Sequence, residues 1–147
     1  MERIRVLRLR SVAFGTEAAC LGSHVAAVVG AIGGPLPELC WYAADVECTG
    51  IQFVSRRSPV PVRVGDTDSM RRAAHGVQQF TSGVFVGVPP GHLYPRFRQG
   101  GLWTDDDELA DLGDALVEVR AFDTTYISVA SAHEQILCSL EALFETG

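Results

Sequence analysis

The strongest constraint on the fold is a two-residue alternation in the last third of the chain. Apolar residues occupy Ala115, Val117, Val119 and Ala121. Charged Glu118 and Arg120 lie between them, as in a strand with one buried face. Ile127 and Val129 belong to the same face only if the connection is Asp123–Thr125, because a two-residue turn would set Ile127 opposite Arg120. The pattern therefore predicts a β-hairpin with a three-residue turn that pairs Val119 with Val129.

Three segments have the period of an amphipathic helix. Thr16 is the predicted cap of a first helix, whose apolar stripe is Leu21, Val25, Val28, Val29 and Ile32 and which stops at Gly33–Pro35. A second helix is predicted from Asp66 or Thr67 to near Gly83. The sequence Ser131-Ala-His-Glu134 predicts a capping box, and the third helix behind it has the stripe Ile136, Leu137, Leu140, Leu143 and Phe144.

Four further segments are extended in pattern: 3–10, 39–48, 59–64 and 84–88. In the first, the apolar side switches from Ile4 and Val6 to Leu7 and Leu9, which predicts a bulge or burial on both faces. The third has Pro59 and Pro61 and belongs at a sheet edge if it pairs at all.

These elements predict one domain over residues 1–147. The predicted order is β-α-β-(β)-α-β-β-β-α, with the C-terminal hairpin followed by a helix. Helices that each have one apolar face need a sheet to cover. We therefore predict an α+β or α/β fold with a mixed sheet of about five strands and three helices packed on it.

Composition narrows the classes of partner and compartment. The net charge of −6 and pI near 5.1 argue against nonspecific binding of nucleic acid, which needs a positive surface. All 12 basic residues are Arg, and the absence of Lys and Asn suggests a GC-rich bacterial genome. The apolar stretch 25–32 is too short to span a membrane. With no secretory signal evident, we expect a cytoplasmic protein with reduced cysteines.

The common catalytic and cofactor motifs do not occur. The four His residues are isolated from one another and from the cysteines, so no metal site is predicted. No G-x-S-x-G nucleophile elbow, Walker A motif or G-x-G-x-x-G motif is found. We therefore predict no catalytic residue and no cofactor, and an enzyme is the less favoured class.

Two adjacent segments are unusual for a compact domain. The stretch 89–103 has no regular period and contains Tyr94, Arg96, Phe97, Arg98 and Trp103, residue types enriched at binding hot spots. Its aromatic side chains could instead cover one end of the sheet. The acidic run that follows, Asp105–Asp114, has six carboxylates in ten residues. This run is either a solvated loop or a docking patch for a basic protein.

Several stretches resemble small bacterial α/β proteins, including the immunity partners encoded beside polymorphic toxins. The resemblance lies in the Trp41–Tyr42 strand, "GDT" at residues 65–67, "FTSGVFVGVP" at 80–89 and "EVRAFDTTYISVASAHEQI" at 118–136. Proteins of that type bind and block a cognate toxin in the cytoplasm. The resemblance implies a noncatalytic protein partner and transfers no catalytic residue.

The sequence thus predicts a cytoplasmic binding protein of immunity type that occludes a basic toxin domain. The predicted partner-binding residues are Tyr94, Arg96, Phe97, Arg98, Trp103, Asp105, Asp106, Asp107, Glu108 and Asp111. The alternative is a small-molecule sensor or enzyme with a pocket near His92, Arg96 and Asp123.

Overall fold

The computed structural model describes residues 3–50, 53 and 58–144. The strands are β1 (Arg5–Arg10), β2 (Cys40–Gly50), β3 (Val62–Asp66), β4 (Val77–Val88), β5 (Val117–Phe122) and β6 (Tyr126–Ser131). The helices are α1 (Gly22–Gly33), α2 (Thr67–His75) and α3 (Glu134–Leu143), with a short 3-10 helix at Ser11–Phe14. The fold is α+β, with three helices and one open sheet.

The sheet has six strands in the order β1-β6-β5-β4-β2-β3, and each neighbouring pair is antiparallel. The predicted mixed sheet of about five strands is wrong in strand number and direction. The predicted element order differs too, since the optional third strand is definite and a 3-10 helix precedes α1. A helical crossover makes a parallel pair only where its two strands are neighbours. Here α1 connects strands at opposite sides of the sheet, and β2 separates the two strands that α2 connects.

Both faces of the sheet are covered. The three helices pack on one face, over a core that includes Trp41, Phe80 and Phe85. The other face is covered by residues 89–116, here called the covering segment, which connects β4 to β5 without a helix or strand. Burial on two faces explains the apolar pattern of residues 4–9. Leu7 and Leu9 pack against the core under the helices, and Ile4 and Val6 pack against a second core, which lies under the covering segment.

The C-terminal hairpin confirms its predicted register. Val119 pairs with Val129 and Ala121 with Ile127, across a turn formed by residues 123–125. Asp123 and Thr124 have φ angles of 48° and 54°, as both central residues of a type I′ turn require. The alternation was sufficient here because only this register puts the apolar residues of both strands on one face of the hairpin.

The helix starts differ from the predictions because the side chains predicted as caps make tertiary hydrogen bonds instead. Thr16 does not cap α1; its hydroxyl lies 3.0 Å from Nε2 of His24, whose Nδ1 accepts from the Leu21 N–H. The predicted capping box at Ser131 is also wrong. Ser131 ends β6, and its hydroxyl donates to the Leu116 carbonyl at 2.7 Å.

The second helix is shorter than predicted. Asp66 caps it, accepting from the Ser69 N–H at 2.8 Å, and the helix ends at His75. Val77 already belongs to β4, because the long strand β2 offers pairing partners as far as Gly50. The third strand lies at the sheet edge, as its prolines predict, but begins only after Pro61.

Candidate partner-binding surface

The covering segment is fixed to the sheet by apolar contacts. Leu102, Leu112 and Ala115 are buried against the β4 side chains Val84 and Val86. The Phe97 ring contacts Tyr42 of β2 edge to face, with 5.3 Å between ring centroids. Phe97 therefore belongs to the second core, whereas it was predicted as a partner anchor.

A buried ionic network lies beneath the acidic run. The Glu118 side chain is 1% exposed and accepts from Arg98 Nη1 at 2.7 Å and from Arg120 Nε at 2.6 Å. Arg98 also binds the Asp106 carboxylate at 2.8 Å. Two carboxylates thus balance two guanidinium groups, which is the arrangement that makes buried charge tolerable.

Arg120 also binds the backbone of the acidic run. Its guanidinium donates to the carbonyls of Thr104, Asp106 and Asp107, at 2.8 Å for the last of these. Arg98 donates to the Asp111 carbonyl at 3.1 Å. The acidic run is therefore wrapped around two buried cations, which fixes its backbone without regular secondary structure.

A third arginine holds the next acidic side chain. Arg8 of β1 binds both carboxylate oxygens of Glu108 and lies 4.8 Å from the Tyr126 ring centroid. The Arg8 contact, opposed by partial burial, lowers the pKa of the Glu108 carboxyl. Glu108, like Arg98 and Asp106, thus holds the covering segment in place through contacts within the chain.

The remaining predicted residues reach the surface. Tyr94 is 87% exposed and Trp103 37%, and the unpredicted neighbours Leu93 and Leu109 are 82% and 61% exposed. The Arg96 side chain is exposed, as are Asp105, Asp107 and Asp111. Asp107 and Asp111 each accept a local backbone N–H, from Leu109 and Gly113, which orients their carboxylates. Apolar and acidic side chains are therefore both exposed along the covering segment.

Two concavities border the acidic run. A groove of about 1080 Å³ separates it from β1 and β6, with Tyr126 and Ser128 among its lining residues. A cleft of about 590 Å³ lies on its other side, lined by Trp103, Asp105 and Asp123 among others. Trp103 and Asp105, both predicted partner-binding residues, therefore lie side by side at a concave surface.

Of the three alternative pocket residues, two are brought together and Asp123 lies elsewhere. His92 and Arg96 both lie beside Asp114, at 3.4 Å and 3.6 Å from its oxygens. The Asp114 carboxylate accepts from the Arg96 N–H at 2.7 Å, and this contact lowers its pKa. Asp123 instead belongs to the β5–β6 turn and lines the cleft with Trp103.

The sequence did not single out the buried anchors. Glu118 and Arg120 are interpreted there as residues of an outward strand face, because that face has no apolar run to indicate burial. One signal was available in the sequence. Glu118 and Arg120 alternate on one strand face, and the preceding long segment contains acidic residues and Arg98, which could pair with them. A cation and an anion at successive same-face positions of a strand can bury each other.

Within residues 3–50, 53 and 58–144, no group of three or more His, Cys, Asp or Glu side chains could hold a metal ion. None of the helices in the described chain is long and apolar enough to cross a membrane. Comparison with protein-family models, with curated proteins and with solved structures finds no match for this chain.

Proposed function

We propose that the protein is a noncatalytic, cytoplasmic binding protein of immunity type that occludes a basic toxin domain. Its docking face consists of six of the ten predicted residues: Tyr94, Arg96, Trp103, Asp105, Asp107 and Asp111. The other four hold the segment in place. The observation that supports this proposal is the exposure of apolar and acidic side chains on a segment whose backbone is tied to buried arginines.

A fixed segment binds better than a mobile one. Ordering a loop on association costs about 0.5 to 1.5 kcal/mol per immobilised side chain. Here the Arg120 contacts with the carbonyls of Asp106 and Asp107 order that backbone before any partner arrives. The partner then meets a preorganised surface.

The exposed groups divide into two roles. Asp105, Asp107 and Asp111 provide negative charge that steers a basic partner and raises the rate of encounter. Tyr94 and Trp103 provide aromatic area, which slows dissociation once it is desolvated. Charge and aromatic substitutions should therefore change different rate constants.

The first experiment isolates the partner and then measures rates. Tagged protein is used to capture a basic protein domain from a lysate of the source cells, and that domain is purified for biosensor measurements. The charge variant is Asp105→Arg with Asp107→Arg, which spares Asp106 because that carboxylate binds Arg98. At low salt we expect association about tenfold slower, with a weaker salt dependence.

The matched control places the same charge change on the helical side. Glu17 and Glu141 are both exposed and lie outside the covering segment. The variant Glu17→Arg with Glu141→Arg should associate at nearly the wild-type rate. If both double variants slow association equally, net charge rather than the docking face is responsible.

The aromatic role is tested separately. We expect Tyr94→Ala to raise the dissociation rate about tenfold or more, the range of an interface hot spot. Leu143→Ala, at an apolar residue of α3 that is 66% exposed, serves as its control. A Tyr94→Ala complex with unchanged rates would remove the covering segment from the interface. Inhibition of the captured domain's activity by wild-type protein, at one-to-one stoichiometry, tests the immunity role itself.

A further inference from the structure

The cleft beside Trp103 extends from exposed to buried residues. Its volume is about 590 Å³. The lining residues Ser82 and Thr104 are buried, whereas Asp105 and Asp123 are exposed. Trp103, which is 37% exposed, lines the cleft as well. A side chain that enters the cleft would therefore meet an aromatic ring, two carboxylates and a polar interior.

The two exposed carboxylates determine which charge the cleft attracts. Within residues 3–50, 53 and 58–144, neither Asp105 nor Asp123 has an ion-pair partner. A third lining carboxylate, Asp45, is already engaged, since it accepts from the Thr104 N–H at 3.0 Å. Asp105 and Asp123 thus have negative charge to share with an entering cation.

A buried hydroxyl is an independent sign that a partner is missing. Thr104 is 7% exposed, and its Oγ1 has no hydrogen-bond partner among the described residues. Buried polar groups in proteins are nearly always paired. Thr104 lines both the cleft and the groove, and on the groove side the Arg120 guanidinium is used by Glu118 and by three carbonyls. A donor that enters the cleft would satisfy the hydroxyl.

The walls of the cleft are fixed before any partner arrives. Asp45 lies where the pairing of β2 with β4 shifts between Ala44 and Glu47, and its φ angle is 51°. Bulges of this kind redirect side chains and recur beside binding sites. The Ser82 hydroxyl donates to the Asp45 carbonyl at 2.9 Å, which ties the two strands together at this point. The opposite wall belongs to the covering segment, whose backbone Arg120 holds.

The chemistry of the lining favours a guanidinium group over other cations. A guanidinium is planar, stacks on aromatic rings and has five N–H donors, so it can contact an indole, carboxylates and a hydroxyl together. An ammonium group is compact and strongly hydrated, and it has no planar face to stack. No group of three or more His, Cys, Asp or Glu side chains in the described chain could hold a metal ion.

We infer that the cleft beside Trp103 binds the guanidinium group of one arginine side chain on the basic partner. The Trp103 ring stacks on this group, Asp105 and Asp123 accept from its edges, and the Thr104 hydroxyl accepts a further N–H. The inference deepens the docking face and rests on the proposed function, which supplies the basic partner. It adds Asp123, a residue of the β5–β6 turn, to that face.

The test uses a small probe, arginine with an acetylated amino group and an amidated carboxyl group. Two reference probes have the same end groups: citrulline, in which a neutral urea replaces the guanidinium, and lysine, which keeps the charge. We expect the arginine probe to bind about tenfold more tightly than the citrulline probe and about threefold more tightly than the lysine probe.

Binding is measured by NMR on the indole N–H signals. The protein has two tryptophans, and Trp41 is fully buried and donates to Thr67, so its signal is an internal reference. The spectrum of a Trp103→Phe variant assigns the two signals. We expect the arginine probe to shift the Trp103 signal saturably and to leave the Trp41 signal in place.

The role of the carboxylates is tested with Asp105→Asn combined with Asp123→Asn. Asparagine tolerates the left-handed φ of 48° at position 123, so the turn should be kept. The matched control, Glu17→Gln with Glu141→Gln, removes the same charge from the helical side. We expect only the first variant to weaken binding of the arginine probe, by about tenfold.

A second arm separates failure of the cleft from failure of the proposed function. With the captured basic domain, Asp123→Asn alone should raise the dissociation rate about fivefold or more. If Asp105→Arg with Asp107→Arg slows association and Asp123→Asn leaves dissociation unchanged, the docking face is supported and the cleft inference is wrong. If the arginine probe binds and no basic domain is captured, the guanidinium site is supported and the proposed function is wrong.

Four results with the probes would overturn the inference. Equal binding of the citrulline probe would mean contact with Trp103 without recognition of charge, and equal binding of the lysine probe would mean charge attraction without stacking. Equal weakening by both double variants would make net charge responsible. Absence of a saturable shift at about 10 mM arginine probe would mean that the cleft does not admit the group.

Discussion

Replacing Glu118 by Gln tests whether the buried network holds the covering segment. The substitution keeps the size of the side chain and removes the one carboxylate shared by Arg98 and Arg120. Arg98 would retain Asp106, and Arg120 would retain backbone carbonyls. The protein would then have two buried guanidinium groups and one carboxylate fewer.

The cost follows from the contacts. Glu118 receives two short hydrogen bonds, at 2.7 and 2.6 Å, from charged donors. Bonds to charged groups contribute about 1.5 to 3 kcal/mol each, and the Gln oxygen can keep part of one. The expected loss of unfolding free energy is about 3 to 5 kcal/mol, the range found when one partner of a buried pair is removed. That is a large fraction of the roughly 5 to 15 kcal/mol of a typical domain.

Urea denaturation measures this loss. With a slope of about 2 kcal/mol per molar, the Glu118→Gln midpoint should fall by about 2 M. Glu134→Gln is the control, because it removes a carboxylate from a solvent-exposed pair with Arg5 and should leave the midpoint nearly unchanged. A Glu118→Gln loss below about 1 kcal/mol would refute the reasoning, since it would mean that water or other groups replace the carboxylate.

Three further predictions concern residues outside the covering segment. Burial lowers the pKa of the His24 imidazole, so the unfolded chain binds its proton more tightly. Stability should therefore fall as the pH drops below about 6.5, and His24→Gln should flatten the dependence of urea midpoints between about pH 7.5 and 5.5. A Cβ at Gly22 would overlap backbone carbonyl oxygens, so Gly22→Ala should cost about 1 to 3 kcal/mol or more. Gly30→Ala, which meets only the flexible Arg71 side chain at 3.3 Å, should denature close to wild type. Burial raises the pKa of the Cys20 thiol to about 11, so iodoacetamide at about pH 8 should label exposed Cys138 and spare Cys20 until the protein unfolds, as mass spectrometry would show.

The fold was predictable where one face of an element is apolar and the other is not. The β5–β6 hairpin has that property, and its register follows from the positions of Val119 and Val129. Strand β4 does not, because Val84 and Val86 are buried on one face while Phe85 is buried on the other. A strand whose two faces both pack against apolar residues loses its alternation. The first residues of β4 were assigned to the preceding helix because Val77 continues the apolar spacing of Met70 and Ala74.

Helix starts were less predictable than helix faces. A Ser or Thr before an apolar stripe predicts a cap, yet Thr16 binds His24 and Ser131 binds the Leu116 carbonyl. At Asp66, where no other partner competes for the side chain among the described contacts, the cap forms as expected. Local capping signals thus hold only when tertiary structure offers the side chain nothing stronger.

For the candidate site, composition drew attention to the segment but did not indicate which of its residues are buried and which are exposed. Asp105 and Asp106 are adjacent and chemically identical, yet one is exposed and the other binds a buried arginine. What separates them is the position of Arg98 in the folded chain, about which the local sequence says nothing. The ten predicted residues therefore include both anchors and exposed groups.

The division between anchors and exposed groups makes stability and surface charge separable in this chain. Arginine suits the anchor role because its planar guanidinium stays charged and can bind a carboxylate and a carbonyl together. Arg98 does so with Glu118 and the Asp111 carbonyl. Substitution of an anchor should loosen the whole segment, and substitution of Asp105 should change only the charge presented. The acidic run thus has two kinds of residue. Asp106 and Glu108 bind arginines and hold the segment, whereas Asp105 and Asp107 remain exposed to solvent.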